Sequence, residues 1–308
     1  MKKKLINFVK KSLPYRSIRY IKDQDVIAFI KKISKKINLY SIHNNEKIIN
    51  EFLKNYINWI KSSKLNRFKN LDKFRYKVFS NGTSQIFDMF YLKYRNKRFR
   101  ILHGEYSYHF LSFRNHGLKW KYINGTKLKK NDALIISLPF SDSGNKHEKL
   151  TILLNECNKK NIPVLLDCCY LNSCKDIDFN FNQPCIDSIG FSLSKCFPVF
   201  RFRIGMRVQK KDDDDPMYVY QKENYVNVLS CYIGNKLIKK FNFDYMHNKY
   251  YDLQKRICKK MKLKPSSVVN LALGNKSYSR YNRGGEFNRL CISKIIEKNY
   301  EKFILGKY

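Results

Sequence analysis

Apolar positions in the first part of the chain recur at helical spacing. Between Asn45 and Ile60 they fall at Ile49, Phe52, Leu53, Tyr56 and Ile60, the stripe of an amphipathic helix. Asn45 is placed to cap its start. From about Lys77 the rhythm changes, and short apolar runs alternate with helical stretches. The runs cover 77–79, 99–102, 133–138, 162–166, 186–192 and 204–208, with a helix after Gly82 and another near 147–160. That second helix has its apolar face at Leu150, Leu153, Leu154 and Cys157. The run 163–166 is apolar throughout, as a strand covered on both faces requires. The alternation predicts an α/β fold, a mostly parallel central sheet flanked by helices. Its ligand crevice is expected at the carboxyl ends of the strands. Beyond about Tyr218 the pattern is less regular. A helix over 253–263, strands over 268–273 and 287–293 and a helix over 295–303 make a smaller α+β piece. The chain is thus expected in three parts: 1–44 joining the small piece, a large α/β part over 45–217, and the small part over 218–308.

Composition narrows the function. The 308 residues are 43% apolar and 28% charged, which excludes wholesale disorder and collagen-like repeats. No apolar run approaches the roughly 18 residues of a membrane span. The stretch 5–9 is interrupted by Asn7 and falls short of the roughly 7–15 apolar residues of an export signal, so a cytoplasmic chain is expected. Nine cysteines, an odd number between Cys157 and Cys291 with no C-x-x-C, read as reduced thiols without a disulfide frame or a metal site. Asn124-Gly125-Thr126 then reads as a turn. Sixty-two basic against 25 acidic residues give a net charge of +37, which raises nucleic acid as a partner. The basic residues are spread along the chain, however, and Lys, Asn, Ile, Tyr and Phe share A/T-rich codons. A small acidic or phosphorylated substrate would gain from the same field. The block 212–215, followed by Pro216, reads as a solvated loop rather than a metal site.

Four segments at expected strand ends carry chemistry. In the first, Gly82 permits a tight turn and Thr83 and Ser84 open a helix, an anion seat or simply a capped helix. In the second, Asp167 ends an apolar strand, where its carboxylate can hold a ring nitrogen protonated or merely cap a turn. Tyr170 follows three residues on. In the third, Lys195 lies just beyond a buried strand, flanked by Ser192 and Ser194. An amine desolvated there becomes a nucleophile toward a carbonyl. Arg203 opens the next strand and with Ser192 could chelate a phosphate, Gly205 letting the backbone approach. In the fourth, Arg289 starts an apolar strand and suits a substrate carboxylate. Arg280 and Arg283 compete for that task, and a surface salt bridge is the plain alternative.

Together these segments resemble the fold-type I pyridoxal-phosphate enzymes, specifically the class I/II aminotransferases and their histidinol-phosphate aminotransferase-like branch. The likeness runs from about Ser80 to Val208, on the string S-x-S-K-x7-R-x-G, the preceding D-x-x-Y and the 28 residues from Asp167 to Lys195. It implies pyridoxal 5'-phosphate as cofactor, held by a Schiff base (aldimine) on Lys195, which later shuttles the proton. It implies Asp167 at the ring nitrogen, Tyr170 at the ring oxygen and Tyr106 stacked on the ring, for which a core aromatic is the competing reading. Gly82, Thr83, Ser192 and Arg203 would form the phosphate cup, and Arg289 would grip the α-carboxylate. The implied reaction moves an amino group between an amino acid, or a similar donor, and a 2-oxo acid, in a homodimer. The sequence departs from the family at 139–144, where Ser141 stands for an asparagine that bonds the ring oxygen and Asp142 for a proline. Only 94 residues separate Lys195 from Arg289, so the small part is trimmed. A lyase or decarboxylase of the same fold, and a basic binding protein without catalysis, remain the alternatives. His103 and His109 beside Tyr106 read as structural, and His147 as opening a helix.

Overall fold

A computed structural model of the protein describes residues 18–308 except 46, 124 and 214. Residues 1–17 of the N-terminal part, the stretch 5–9 among them, with Glu46, Asn124 and Asp214, therefore lie outside the described residues. The helices are α1 (Gln24–Ser34), α2 (Leu39–His43), α3 (Lys47–Lys61), α4 (Thr83–Lys93), α5 (Ser107–Asn115), α6 (Leu150–Lys160), α7 (Pro216–Lys222), α8 (Val228–Lys240), α9 (Tyr245–Met261) and α10 (Ser293–Ile304). The strands are β1 (Arg67–Lys69), β2 (Tyr76–Asn81), β3 (Arg98–Ile101), β4 (Trp120–Tyr122), β5 (Asp132–Ser137), β6 (Val164–Asp167), β7 (Asp178–Asn180), β8 (Ile186–Ser192), β9 (Ile204–Gln209), β10 (Lys264–Pro265), β11 (Leu271–Gly274) and β12 (Asn288–Cys291).

Seven strands form the central sheet in the order β2-β9-β8-β6-β5-β3-β4. From β8 to β4 all neighbours are parallel, while β9 runs antiparallel to β8 and β2. The strands are apolar on both faces because both are covered. In β5, Leu134 and Ile136 join a core shared with α3, α6, α8 and α9, and Ala133 and Ile135 join a second core with α4 and α5. A three-stranded antiparallel sheet, β10-β11-β12, lies in the C-terminal part.

The expected strands of the large part are present, β8 over the same seven residues that the pattern marked. Differences have local causes. The helix expected from His147 begins at Leu150; His147 Nδ1 instead accepts the Lys149 amide at 3.1 Å. The strand expected from Val268 begins at Leu271, since the Val268 and Val269 amides bond the carbonyls of Gly144 and Ser173. α9 starts at Tyr245, earlier than expected, and its buried face includes Met246 and Tyr250. The acidic block is not merely solvated. Asp215 caps α7 and pairs with buried Arg207, and Asp213 pairs with Lys93 at 2.7 Å. Cys168 and Cys169 lie just past β6 and, like the other seven cysteines, are buried free thiols. Among the described residues no helix is long and apolar enough to cross a membrane.

The N-terminal strand of chain before α1 is tied down by Asp23, which is fully buried. Its carboxylate caps α1 at the Val26 amide (2.8 Å), accepts from Tyr250 Oη (2.6 Å) and pairs with Lys249 Nζ (2.7 Å). Removing the carboxylate leaves the Val26 amide and the Tyr250 hydroxyl without their acceptor and Lys249 with Asp25 as its remaining acid. Asp23→Ala is expected to lower the unfolding free energy by about 3 kcal/mol in urea titration. A loss below ~1 kcal/mol would contradict this account.

Candidate active site

The site is built on the carboxyl ends of β2, β6 and β8 and the amino end of β9. β2 ends in a turn at Gly82, whose φ of +76° is the left-handed conformation that favours glycine. A side chain there would run into the Arg203 guanidinium. α4 follows directly, and its first amides have no side-chain cap. Arg203 Nη2 donates to Ser84 Oγ at 2.8 Å and Nε to the Asn81 carbonyl at 3.2 Å. Arg203 itself holds a φ of +54°, which costs a residue with a β-carbon about 1 kcal/mol or more. The strain is accepted where the side chain must turn back onto the helix start. Uncapped amides, a helix dipole and a guanidinium at one point form an anion seat.

Asp167 is the last residue of β6 and 2% exposed. It accepts the Cys169 amide at 3.1 Å. Burial pushes its carboxyl up to about 6, partly offset by the Cys169 amide and thiol and by Lys195. Tyr170 is buried, and burial raises its phenol far above the ordinary value, with Arg289 and Arg283 acting in the other direction. Lys195 follows β8, with Nζ 6.0 Å from the Tyr170 ring centre and 3.2 Å from the Ile18 carbonyl, to which it donates. Tyr106 opens α5 and is 42% exposed, so it is not a core aromatic.

One cavity of 70 Å³ is lined by Thr83, Ser84, Tyr106, Asp167, Cys169, Tyr170, Ser194, Lys195 and Arg203. The structure thus brings together six of the expected residues and adds Ser84, Cys169 and Ser194. A larger cavity of 530 Å³ is lined by none of Asp167, Tyr170, Lys195 and Arg203. The chemistry, not the volume, marks the site. Ser192 is buried behind the cavity, its hydroxyl 2.8 Å from Ser194 Oγ. Ser141 is met by two guanidiniums: Arg289 Nη1 and Arg283 Nη2 both donate to its carbonyl, and Arg283 Nη2 lies 3.2 Å from its hydroxyl. Arg289 is pushed down to about 10 by burial and by Arg283, and it stays cationic at neutral pH. Arg280 is exposed, its guanidinium 4.9 Å from the Tyr281 ring centre. Asp142 is fully buried between Gly104 and Gly285 and accepts the Phe287 amide at 3.0 Å, joining the loop after β5 to the turn that carries Arg283. His109 is buried against Phe87, bonded to Tyr91 Oη at 2.7 Å, and burial lowers it to about 3. His103 stacks on Tyr122. Glu105, beside Tyr106, is buried and was not among the expected residues; its place next to Tyr106 is the one trace it leaves in the sequence.

No protein-family model matches the chain, and no curated protein matches its sequence. Solved structures do match. The histidinol-phosphate aminotransferase of Clostridium acetobutylicum superposes with a TM-score of 0.63 at 16% identity, over 96% of this chain and 97% of that one. The aromatic aminotransferase of Pyrococcus horikoshii gives 0.65 at 15%, over 96% of each. A PLP-bound C-S lyase of Staphylococcus hominis gives 0.64 at 14%, over 96% and 90%. The seven-stranded sheet with its single reversed strand thus belongs to a fold that this chain shares with the two aminotransferases and the C-S lyase.

Burial raises Glu105 from 4.5 to about 7 and Asp167 from 3.8 to about 6. Between the unfolded and folded values the folded chain binds more protons, so stability falls as pH rises from about 4 to about 7. Glu105→Gln is expected to remove part of that fall. Thermal unfolding of cofactor-free protein should show the variant gaining relative to wild type from pH 5 to 7.5, by at most about 3 kcal/mol. A difference independent of pH would contradict it.

Proposed function

We propose that the protein is a pyridoxal-phosphate-dependent aminotransferase that moves an amino group from an amino acid, or an amino-acid-like donor, to a 2-oxo acid. The observation that carries this reading is the convergence of Lys195, Asp167, Tyr170, Tyr106 and Arg203 on one cavity at the strand ends. The donor set fits the cofactor. The uncapped start of α4 at Gly82 and Thr83, with Arg203 and the hydroxyls of Ser84 and Ser194, would hold the phosphate, Ser192 supporting Ser194 from behind. Asp167 would hold the ring nitrogen, Tyr170 and Ser141 the ring oxygen, Tyr106 the ring face and Lys195 the covalent link. When bound, pyridoxal 5'-phosphate supplies an electron sink for the bond broken at the substrate's α-carbon.

The chain's own residues do the rest. Asp167, whose carboxyl burial raises to about 6, would accept the ring N–H and keep it protonated. Lys195 would hold the cofactor and, with its amine free, would take the substrate's α-proton and return it to the carbon on the far side of the bridging nitrogen. Arg289 and Arg283, both fixed at Ser141, offer a forked cationic surface to the substrate carboxylate. On this reading residues 45–217 bind the cofactor, and 218–308 with 1–44 form the smaller part that brings the arginines. A cytoplasmic homodimer belongs to the same reading and rests on the resemblance.

The cofactor alone does not choose which bond breaks, and the match to a C-S lyase keeps elimination as the second reading. Borohydride reduction of cofactor-loaded protein should trap an adduct on Lys195 by peptide mass spectrometry, absent from Lys195→Ala, whose turnover should drop at least about a hundredfold. Amine transfer to 2-oxoglutarate across a panel of amino donors supports the aminotransferase; release of carbon dioxide, sulfide or ammonia without transfer supports the lyase. No adduct, with DNA affinity that falls steeply with salt, supports the binding protein. Separately, Arg203→Ala should weaken cofactor retention about tenfold to a hundredfold in equilibrium dialysis while leaving the adduct on Lys195.

A further inference from the structure

Glu105 has no task in the reading above, yet it lies against the proposed site. It follows β3 in the turn that leads to Tyr106 and is 6% exposed. Its carboxylate accepts the Ser137 amide at 2.8 Å and also the Ser137 hydroxyl. Ser137 ends β5, and its register partner is Asp167 at the end of β6. Paired residues on adjacent strands sit about 4.8 Å apart and project to the same face. Ser137 therefore stands beside Asp167, and the Glu105 carboxyl lies one further hydrogen bond away. The ionisable groups that face it are Asp167 and Cys169 from β6 and the turn beyond it, with Tyr106 in its own loop donating its amide. Lys195 acts on Asp167 from β8. Burial and the neighbouring Asp167 raise the Glu105 carboxyl to about 7, so Glu105 changes charge near neutrality.

We propose that Glu105 is a positioning residue that places a second negative charge behind Asp167, so that the cofactor's ring nitrogen and the nitrogen joining it to Lys195 keep their protons to higher pH. The inference rests on the proposed function, because it needs the cofactor at Asp167. A carboxylate two groups from the ring is close enough to act through the buried, low-dielectric wall, and too far to touch it. The ring's electron demand would then follow the protonation of Glu105.

The test is the pH dependence of the bound cofactor's visible absorbance in the loaded full-length protein. Glu105→Gln keeps the shape and the acceptor for the Ser137 amide and removes the charge. Its absorbance inflection should move to lower pH by about half a unit to one unit. A bound cofactor with the wild-type inflection overturns the proposal. Ser137→Ala is the second variant, decisive if the first fails to fold or to take up cofactor. It removes one bond to the carboxylate, keeps Glu105 protonated to higher pH and should move the inflection in the same direction; no movement overturns the proposal. Wild-type protein that yields no adduct on Lys195 sinks the functional reading, and this inference with it.

Discussion

Two backbones that nearly touch hold the site in place. β9 enters the sheet against β2, and Gly205 on β9 lies where a β-carbon would come within 3.1 Å of Gly82 Cα and closer still to Ser80 Oγ. Gly82 in turn leaves room for the Arg203 guanidinium. Without both glycines the reversed strand could not close on the turn. Arg203 could not fold back onto the start of α4, and the anion seat would lose its cation. The antiparallel direction of β9 matters for the same reason, since it brings the residue just before the strand to the carboxyl end of the sheet.

A second constraint is desolvation. The wall of the site holds two buried carboxyls, Asp167 and Glu105, and the neighbouring loop holds a third, Asp142. Burial raises all three above their ordinary values. Each keeps donors around it: the Cys169 amide, the Ser137 amide and hydroxyl, and the Phe287 amide. Two cations accompany the third carboxyl: Arg283 and Arg289 meet at the Ser141 carbonyl, and Arg283 Nη2 lies 3.9 Å from Asp142 Oδ1. Acid and base are therefore paired at the Asp142 loop, while Asp167 and Glu105 are bonded to backbone amides and a hydroxyl.

Much of this was legible in the sequence, and the residues show where legibility stops. β8 was readable to the residue from Ile186, Ile189 and Phe191, although Asp187 and Ser188 interrupt the run; the unbroken apolar run of a strand covered on both faces is the one that leads into β6. Lys195, Asp167 and Arg203 stood out because their types recur at a spacing that short loops impose. The sequence points to Ser192 for the phosphate cup, whereas Ser194 lines the cavity and Ser192 lies behind it, since the chain turns after β8 and strand alternation no longer says which hydroxyl faces inward. Arg283 depended on contacts with Ser141 and Gly104, nearly 180 residues away in the second case. Glu105 was visible as an acid beside an aromatic, but its partner Ser137 lies 32 residues on. α5 and the short edge strand β4 carry too weak a periodicity to be marked at all.

The segment that brings the Ile18 carbonyl to Lys195 is held from the far end of the chain. The Arg19 carbonyl accepts from Asn270 Nδ2 and Ser293 Oγ, both at 2.8 Å, and its guanidinium pairs with Glu297 on α10. Those partners are made some 250 residues after Ile18. The bond that Lys195 makes to the Ile18 carbonyl is therefore braced by side chains drawn from β12's neighbourhood and α10, so a change at Asn270, Ser293 or Glu297 would reach the lysine through the backbone of Arg19.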